Sequence, residues 1–292
     1  MPTSRWVVDL LPRCTFPPAG SPIDCAVSGG ADSLALLALA AEAGCGVTAW
    51  HVDHGLRPGS AEEAAHVHVA ATRFGAEFRS VSAEVAPGSN LEERARQRRR
   101  DLLPEGVATG HTADDQAETV LINLLRGSGL DGLAGMAPGP THPILGLRRS
   151  ETHKLCAEAG LAPVDDPTNS DRRFVRNALR HDFLPALDAL VQRDVSELLA
   201  RQARLLREEA ELLDTLASAL DASDAVALAA APPPLARRAV RMMLKPHLEG
   251  RPPSEAAVER VLAVARGEST AAEVGDGVRV ERRSGRLSVR RA

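Results

Sequence analysis

An α/β fold is predicted for this 292-residue chain: a parallel sheet with helices on both faces, then a smaller, mainly helical domain with a terminal β-hairpin. Three observations carry that expectation. Short apolar runs alternate with helix-period segments over the first half, as parallel β–α units require. Polar clusters fall at the ends of the strand-like runs, at 28–33, 51–57 and 110–115, where such sheets bind ligands. From Asp188 onward apolar residues recur at helical spacing instead. The length suits one large and one smaller core, and the domains are expected at 1–189 and 190–292.

Element by element, IDCAV (23–27) reads as a strand ending in Ser-Gly-Gly, and the run from Ser33 as a helix stopped at Gly44. VTAWHV (47–52) is the next strand. Ser60 and Glu63 form a capping box for a helix to about Phe74. FRSVSAEV (78–85) alternates as a strand does. Asn90 and Glu93 cap a helix over 91–103, GVATG (106–110) is a short strand, and Thr112 with Asp115 caps a helix to about Leu125. The Gly- and Pro-rich stretch 127–147 reads as loop, and a helix at 151–159 ends at Gly160. Segment 165–180 begins as a polar turn and becomes helical. One or two long helices cover 188–220, Pro232-Pro233-Pro234 breaks the chain, and helices follow at about 235–246 and 254–266. The end reads as a hairpin turning at Ser284-Gly285.

At 44% hydrophobic and 25% charged, the composition is that of an ordinary globular protein. The longest apolar stretch, Leu34 to Ala41, is far short of a membrane span. No basic region leads into an apolar core at the N-terminus, so the expected compartment is the cytoplasm. Cys14, Cys25, Cys45 and Cys156 form no C-x-x-C pair and lack the spacing of a zinc site or a disulfide scaffold. The net charge of −4 does not by itself mark a nucleic-acid binder. It is uneven, however: 18 basic against 24 acidic residues over 1–190, then 17 against 15 over 191–292. Lys154 and Lys245 are the only lysines, so guanidiniums, which grip phosphates in bidentate fashion, supply nearly every cation.

The segment Ser28-Gly29-Gly30-Ala31-Asp32-Ser33 lies between a strand and a helix. Its glycines let backbone N–H groups approach phosphate oxygens, and the new helix offers its positive end. Ser28 and Ser33 add hydroxyls, and Asp32 suits Mg²⁺ beside a pyrophosphate. No Gly-Lys-Ser/Thr triplet follows, which sets this apart from the common P-loop. Gly110-His111 opens a second cluster with Asp114, Asp115, Glu118 and Thr119 on adjacent faces of one helix. These acids are dipole partners, a magnesium site or a pocket for a cationic substrate. The third cluster holds His51, Asp53, His54 and Arg57; one extended turn supplies no fourth zinc ligand, so nucleotide contacts are expected there. Arg94, Arg96, Arg98, Arg99 and Arg100 crowd one predicted helix, as a solvated face or as phosphate contacts. Arg176 and Arg180, four apart, suit a clamp on phosphate or ion pairs with Asp171 or Asp182. Six arginines at 279, 282, 283, 286, 290 and 291 decorate the hairpin, as an RNA-binding surface or a frayed tail.

The ordered motifs SGGADS, HVDHGLR, GHTADDQAETVLINLLRGSGLDGLAGM and DDPTNSDRRFVRNALR resemble those of the tRNA(Ile)-lysidine synthetases, a family of N-type ATP pyrophosphatases. The resemblance covers about 23–187 and is sharpest at Asn169, Arg176, Asn177 and Arg180. It implies that ATP adenylates C2 of the wobble cytidine in a CAU-anticodon tRNA(Ile), and that free lysine then displaces AMP. By the same resemblance, Asp32, Asp114, Asp115 and Arg176 are the expected catalytic groups, and Asp32 and Asp114 the expected Mg²⁺ ligands. Residues 28–33, His51, Gly110 and Arg180 are expected around ATP, and Asp115, Glu118, Arg96, Arg99 and Asn177 around lysine or tRNA. Which carboxylate takes magnesium and which takes lysine stays open, as does oligomeric state, with a homodimer among the options. The sequence departs from the family pattern at Arg100, usually aromatic, and at His142, usually arginine. The alternatives are a tRNA thiolase or a small-molecule amidotransferase with the same ATP loop.

Overall fold

The computed structural model describes residues 5–53, 60–82, 101–164, 171–248 and 252–291. Residues 91–100 of the predicted 91–103 helix, with its arginines including Arg96 and Arg99, and also His54, Arg57 and Asn169, lie outside these. The chain forms two compact units, Met1–Leu205 and Leu206–Ala292.

In the first unit, a short helix α1 (Arg5–Leu10) precedes a parallel sheet in the order β1 (Pro22–Ala26), β2 (Gly46–Asp53), β3 (Glu77–Ser82). Helices α2 (Ala31–Glu42) and α3 (Ser60–Arg73) make the crossovers that parallel neighbours need. The register pairs Ala26 with Trp50 and Asp53 with Ser82. The strand expected at 106–110 contracts to one parallel bridge, Cys25 to Ala108, on the free side of β1. Gly106 (φ +77°) turns the chain sharply just before it, which limits how far pairing extends.

α2 explains the core. Every residue from Leu34 to Ala40 is fully buried, so the helix is apolar on all sides, as a central helix must be. Burying Leu34, Leu36, Leu37 and Leu39 contributes about 1.5–3 kcal/mol each. Around them pack Cys25, Val27, Ala49, Val67, Ala71, Leu147 and Leu155.

Helix α4 (Ala113–Leu125) starts with the expected capping box between Thr112 and Asp115. The loop after it contains one helical turn, α5 (Leu130–Leu133), before α6 (Arg149–Glu158), which packs on α2. Next come α7 (Val175–Ala178), a π-helical turn Leu179–Phe183, and α8 (Leu184–Val191). The long α9 (Val195–Ser218) buries Ser196, Ala203, Ala210 and Ala217, a seven-residue small stripe. Leu205, Leu212 and Leu216, read from sequence as its apolar face, remain exposed.

The second unit adds α10 (Ala225–Ala230), α11 (Pro233–Leu244), α12 (Glu255–Arg266) and an antiparallel sheet, β4 (Ala271–Gly275), β5 (Val278–Arg283), β6 (Arg286–Arg291). The proline triplet starts α11 rather than only interrupting the chain, because proline suits the first helical position. Ser284 (φ +47°) and Gly285 (φ +78°) form the expected two-residue hairpin turn, and β4 extends it to three strands. Val240, Leu244, Val258, Val261, Val278, Val280 and Leu287 form this unit's core.

Candidate active site

The site assembles at the carboxyl end of the parallel sheet. Leaving β1, the chain turns through Gly29 (φ +91°) and enters α2 at Gly30, which provides no side-chain cap. The first-turn N–H groups of α2 therefore face the loop without a capping side chain. Ser33 braces the loop: its Oγ accepts from the Ser28 N–H at 3.1 Å and donates to the Gly30 carbonyl at 2.9 Å. The Ser28 hydroxyl lies 3.2 Å from it. Gly110 meets this turn from the next segment, and a Cβ there would stand 2.7 Å from the Asp32 carbonyl oxygen. Its need for glycine is close backbone packing on α2. At the end of β2, His51 is buried with Nδ1 2.9 Å from the Val27 carbonyl. A carbonyl only accepts, so Nδ1 carries the proton and Nε2 is the acceptor in the neutral ring.

Beside this loop the predicted carboxylates are gathered by two arginines that sequence reasoning did not single out. Arg149, the first residue of α6, reaches Asp115 Oδ1 at 2.9 Å, Asp32 Oδ2 at 3.3 Å and Glu118 Oε1 at 3.5 Å. Arg148 grips both oxygens of Asp114, at 2.8 and 3.1 Å, and also pairs with Asp194. Asp114 accepts the Arg149 N–H at 2.7 Å as well. Glu118 is wholly buried and meets Arg180 Nε at 2.7 Å and Arg176 Nε at 3.4 Å. Arg176 also donates to Thr119, and Arg180 approaches Asp115 at 3.4 Å. Asp171 and Asp182 pair with Arg173 and Arg172, not with Arg176 and Arg180. Asn177 is buried and donates to the Asp171 carbonyl at 3.0 Å, which ties down the turn before α7.

This geometry sets the charges. Burial pushes Asp32 above the usual carboxylate range, outweighing its bonds from Thr152 and Arg149. For Asp115 burial acts the same way but loses to Arg149, the Thr112 N–H, His111 and Arg180, leaving its pKa low. Asp114 is also lowered: its burial is overcome by Arg148 and the Arg149 N–H. Burial opposes the Arg149 charge, yet Asp115, Glu118 and Asp32 hold it above the ordinary guanidinium value. The four carboxylates and four arginines thus form one interlocked lattice, in which Asp32 and Asp114 face different guanidiniums. Among the described residues no three His, Cys, Asp or Glu side chains stand together as a metal site.

The His142 ring lies 5.1 Å, centroid to centroid, from that of His111. On the hairpin, Arg279 pairs with Glu273 and Glu281, Arg283 with Glu281 and Arg286 with Asp221, while Arg282 donates to the Ala265 carbonyl. The thiols are scattered: Cys25 and Cys156 are buried, and all four are unpaired.

Comparison with known proteins now adds to the geometry. A family model described as a PP-loop domain matches residues 13–187, and one described as the TilS substrate binding domain matches residues 224–288. A tRNA(Ile)-lysidine synthase from Nocardia farcinica is 40% identical over 98% of this chain and 95% of its own length. The chain belongs to the tRNA(Ile)-lysidine synthase family. A second member, from Rhodococcus opacus, is 41% identical over 90% of this chain and 88% of its own length. Among solved structures, the U34-tRNA thiolase NcsA from Methanococcus maripaludis covers 70% of this chain and 78% of its own, at 20% identity and a TM-score of 0.53. That likeness concerns the PP-loop fold alone. Among the described residues no helix is long and apolar enough to cross a membrane.

Proposed function

We propose that this chain is an ATP-dependent carbon–nitrogen ligase that converts the wobble cytidine of CAU-anticodon tRNA(Ile) to lysidine. The C2 oxygen of the cytosine attacks the α-phosphorus of ATP and pyrophosphate leaves. An amine of free lysine then attacks C2, loses a proton and expels AMP. The observation that carries this reading is the order of two matched regions on one chain, with the Ser28–Ser33 loop placed at the strand–helix junction.

The roles follow from charge and position. Uncapped N–H groups of α2, with Ser28 and Ser33, fit a pyrophosphate. His51 and Gly110 flank the nucleotide, and Arg180 and Arg176 supply cations for phosphate or developing negative charge. Magnesium, a hard cation seeking oxygen ligands, would draw on Asp32 and Asp114 and neutralise the departing pyrophosphate. Asp115 and Glu118 are the acceptors for lysine's ammonium. Arg96, Arg99 and Asn177 belong to the tRNA side. A thiolase finds no support in the cysteines: burial pushes Cys25 and Cys14 to about 12 and Cys156 to about 11, away from a reactive thiolate.

The test is transfer of labelled lysine to unmodified CAU-anticodon tRNA(Ile) with Mg-ATP, beside initiator methionine tRNA. Transfer to the isoleucine tRNA alone is expected. Pyrophosphate release without transfer would refute lysine as the nucleophile.

A further inference from the structure

We propose that Arg149 is an internal occupant of the lysine pocket, and that bound ATP must draw its guanidinium away before lysine enters. The inference rests on the reading that Asp115 and Glu118 receive lysine's ammonium. In this structure they are already satisfied by guanidiniums. Arg149 Nη2 stands 2.9 Å from Asp115 and Nη1 3.5 Å from Glu118. Arg176 and Arg180 add two more cations to these acids. An incoming ammonium meets carboxylates whose charge three guanidiniums already balance, and Glu118 has no exposed surface to offer.

Of the three arginines on Glu118, Arg149 is the one whose ion pairs extend to Asp32 in the loop turn, at 3.3 Å. It spans the nucleotide loop and the acidic pocket. Its contact with Glu118 is long, 3.5 Å, as is that of Arg176 at 3.4 Å, against 2.7 Å for Arg180. Its backbone is held, since its N–H donates to Asp114 at 2.7 Å. The proposed swing of the side chain leaves the helix start fixed. A triphosphate on the uncapped first turn of α2 places several negative charges beside Asp32. Those charges compete with the carboxylates for the guanidinium, and the arginine that moves toward them frees acceptors on Asp115 and Glu118. A ligand shifts such an equilibrium by its differential affinity for the two states. ATP and lysine then bind with positive coupling although their charges are met by different groups.

Equilibrium dialysis of labelled lysine against the full chain, with and without magnesium and α,β-methylene-ATP, tests this. Lysine affinity should rise about tenfold or more with the analogue, and analogue affinity should rise by the same factor with lysine. In Arg149→Met, lysine should bind equally with and without the analogue. Equal lysine affinity in both states of the unmodified chain, while lysine transfer to tRNA proceeds, overturns the proposal and leaves the assigned reaction standing. No lysine binding in any state together with no transfer overturns both. If Arg149→Met does not fold, as judged by circular dichroism, the nucleotide dependence of the unmodified chain decides alone.

Discussion

Replacing Glu118 by glutamine isolates the electrostatic centre of the site. The carboxylate is 0% exposed and faces Arg180, Arg176 and Arg149, whose side chains are 23%, 32% and 21% exposed. Glutamine preserves volume and keeps one acceptor for Arg180 Nε, so the loss is charge rather than packing. Removing one partner of a buried ion pair costs about 3–5 kcal/mol. Because all three guanidiniums keep some contact with water, the lower end applies, about 3 kcal/mol. For a unit of this size each kcal/mol lowers the melting temperature by about 2–4 °C, so Glu118→Gln should melt about 6–12 °C lower. Thermal unfolding by circular dichroism, run beside Arg180→Met and the double variant, measures the effect. The double variant should lose less than the two single losses together, by about 0.5–3 kcal/mol of coupling. A shift within about 2 °C, or a more stable variant, would refute the idea that this carboxylate anchors the arginines.

Gly110→Ala should weaken nucleotide binding and cost about 1–3 kcal/mol, because its Cβ would press on the Asp32 carbonyl at 2.7 Å; unchanged affinity for α,β-methylene-ATP by calorimetry would argue against that close approach. Ser33→Ala removes the acceptor for the Ser28 N–H and the donor to Gly30, so the fold should lose about 1–2 kcal/mol and nucleotide affinity should fall, read by thermal melting and calorimetry. Acid should weaken the fold. Asp114, Asp115, Asp194 and Glu151 all have lowered pKa values, so their stabilisation is present above the unfolded-state values of 3.8 and 4.5 and is lost as pH falls through the folded ones. Asp32 is raised and opposes this trend, since protonating it favours the folded state; urea unfolding at pH 7, 5, 4 and 3 (chosen about the ordinary carboxyl range) would expose a wrong sign as rising stability. A thiol reagent at neutral pH should react slowly with Cys14, Cys25 and Cys156 until denaturant is added, and prompt labelling of any of these in the folded chain would contradict their raised pKa values.

What was legible in the sequence was local. The loop at 28–33 announced itself by glycines between an apolar strand and an apolar helix, and the capping box at Thr112 and Asp115 by spacing alone. Arg148 and Arg149 are not legible because their side-chain partners on α4 lie 31 to 34 residues earlier, or 117 in the case of Asp32, and no periodicity links them. A signal was nonetheless present. Two arginines at a helix start oppose the helix dipole, so acids from elsewhere had to offset them, and α4 carries such acids. Gly110 is expected from the sequence beside the nucleotide, and its crowding against Asp32 adds a packing requirement that only the tertiary structure exposes. Helix α10 and strand β4 were missed for the opposite reason: AVALAA and AAEVG are too short and too rich in alanine to declare a period. The structure also changes how the hairpin arginines can be probed. Val278, Val280 and Leu287 belong to the core of the second unit, so deleting the chain from Gly275 would remove packing along with charge. Single substitutions such as Arg279→Gln separate the two effects.

The charge lattice also bears on how one site serves substrates of opposite sign. An open acidic pocket would attract lysine but repel ATP and tRNA, and an open basic one would do the reverse. Interleaving Asp32, Asp114, Asp115 and Glu118 with Arg148, Arg149, Arg176 and Arg180 keeps the site near neutrality. A buried charge left alone is costly, so each substrate group must enter as another charge is released from its partner. In the proposed exchange, a polyanion that captures a guanidinium leaves a carboxylate in need of a cation, and lysine is the cation the proposed reaction supplies. The proposed exchange would make the order of entry a consequence of charge balance. It also accounts for arginine at position 149: its fork can hold three carboxylates at once, which a lysine side chain, with a single point charge, would do less specifically.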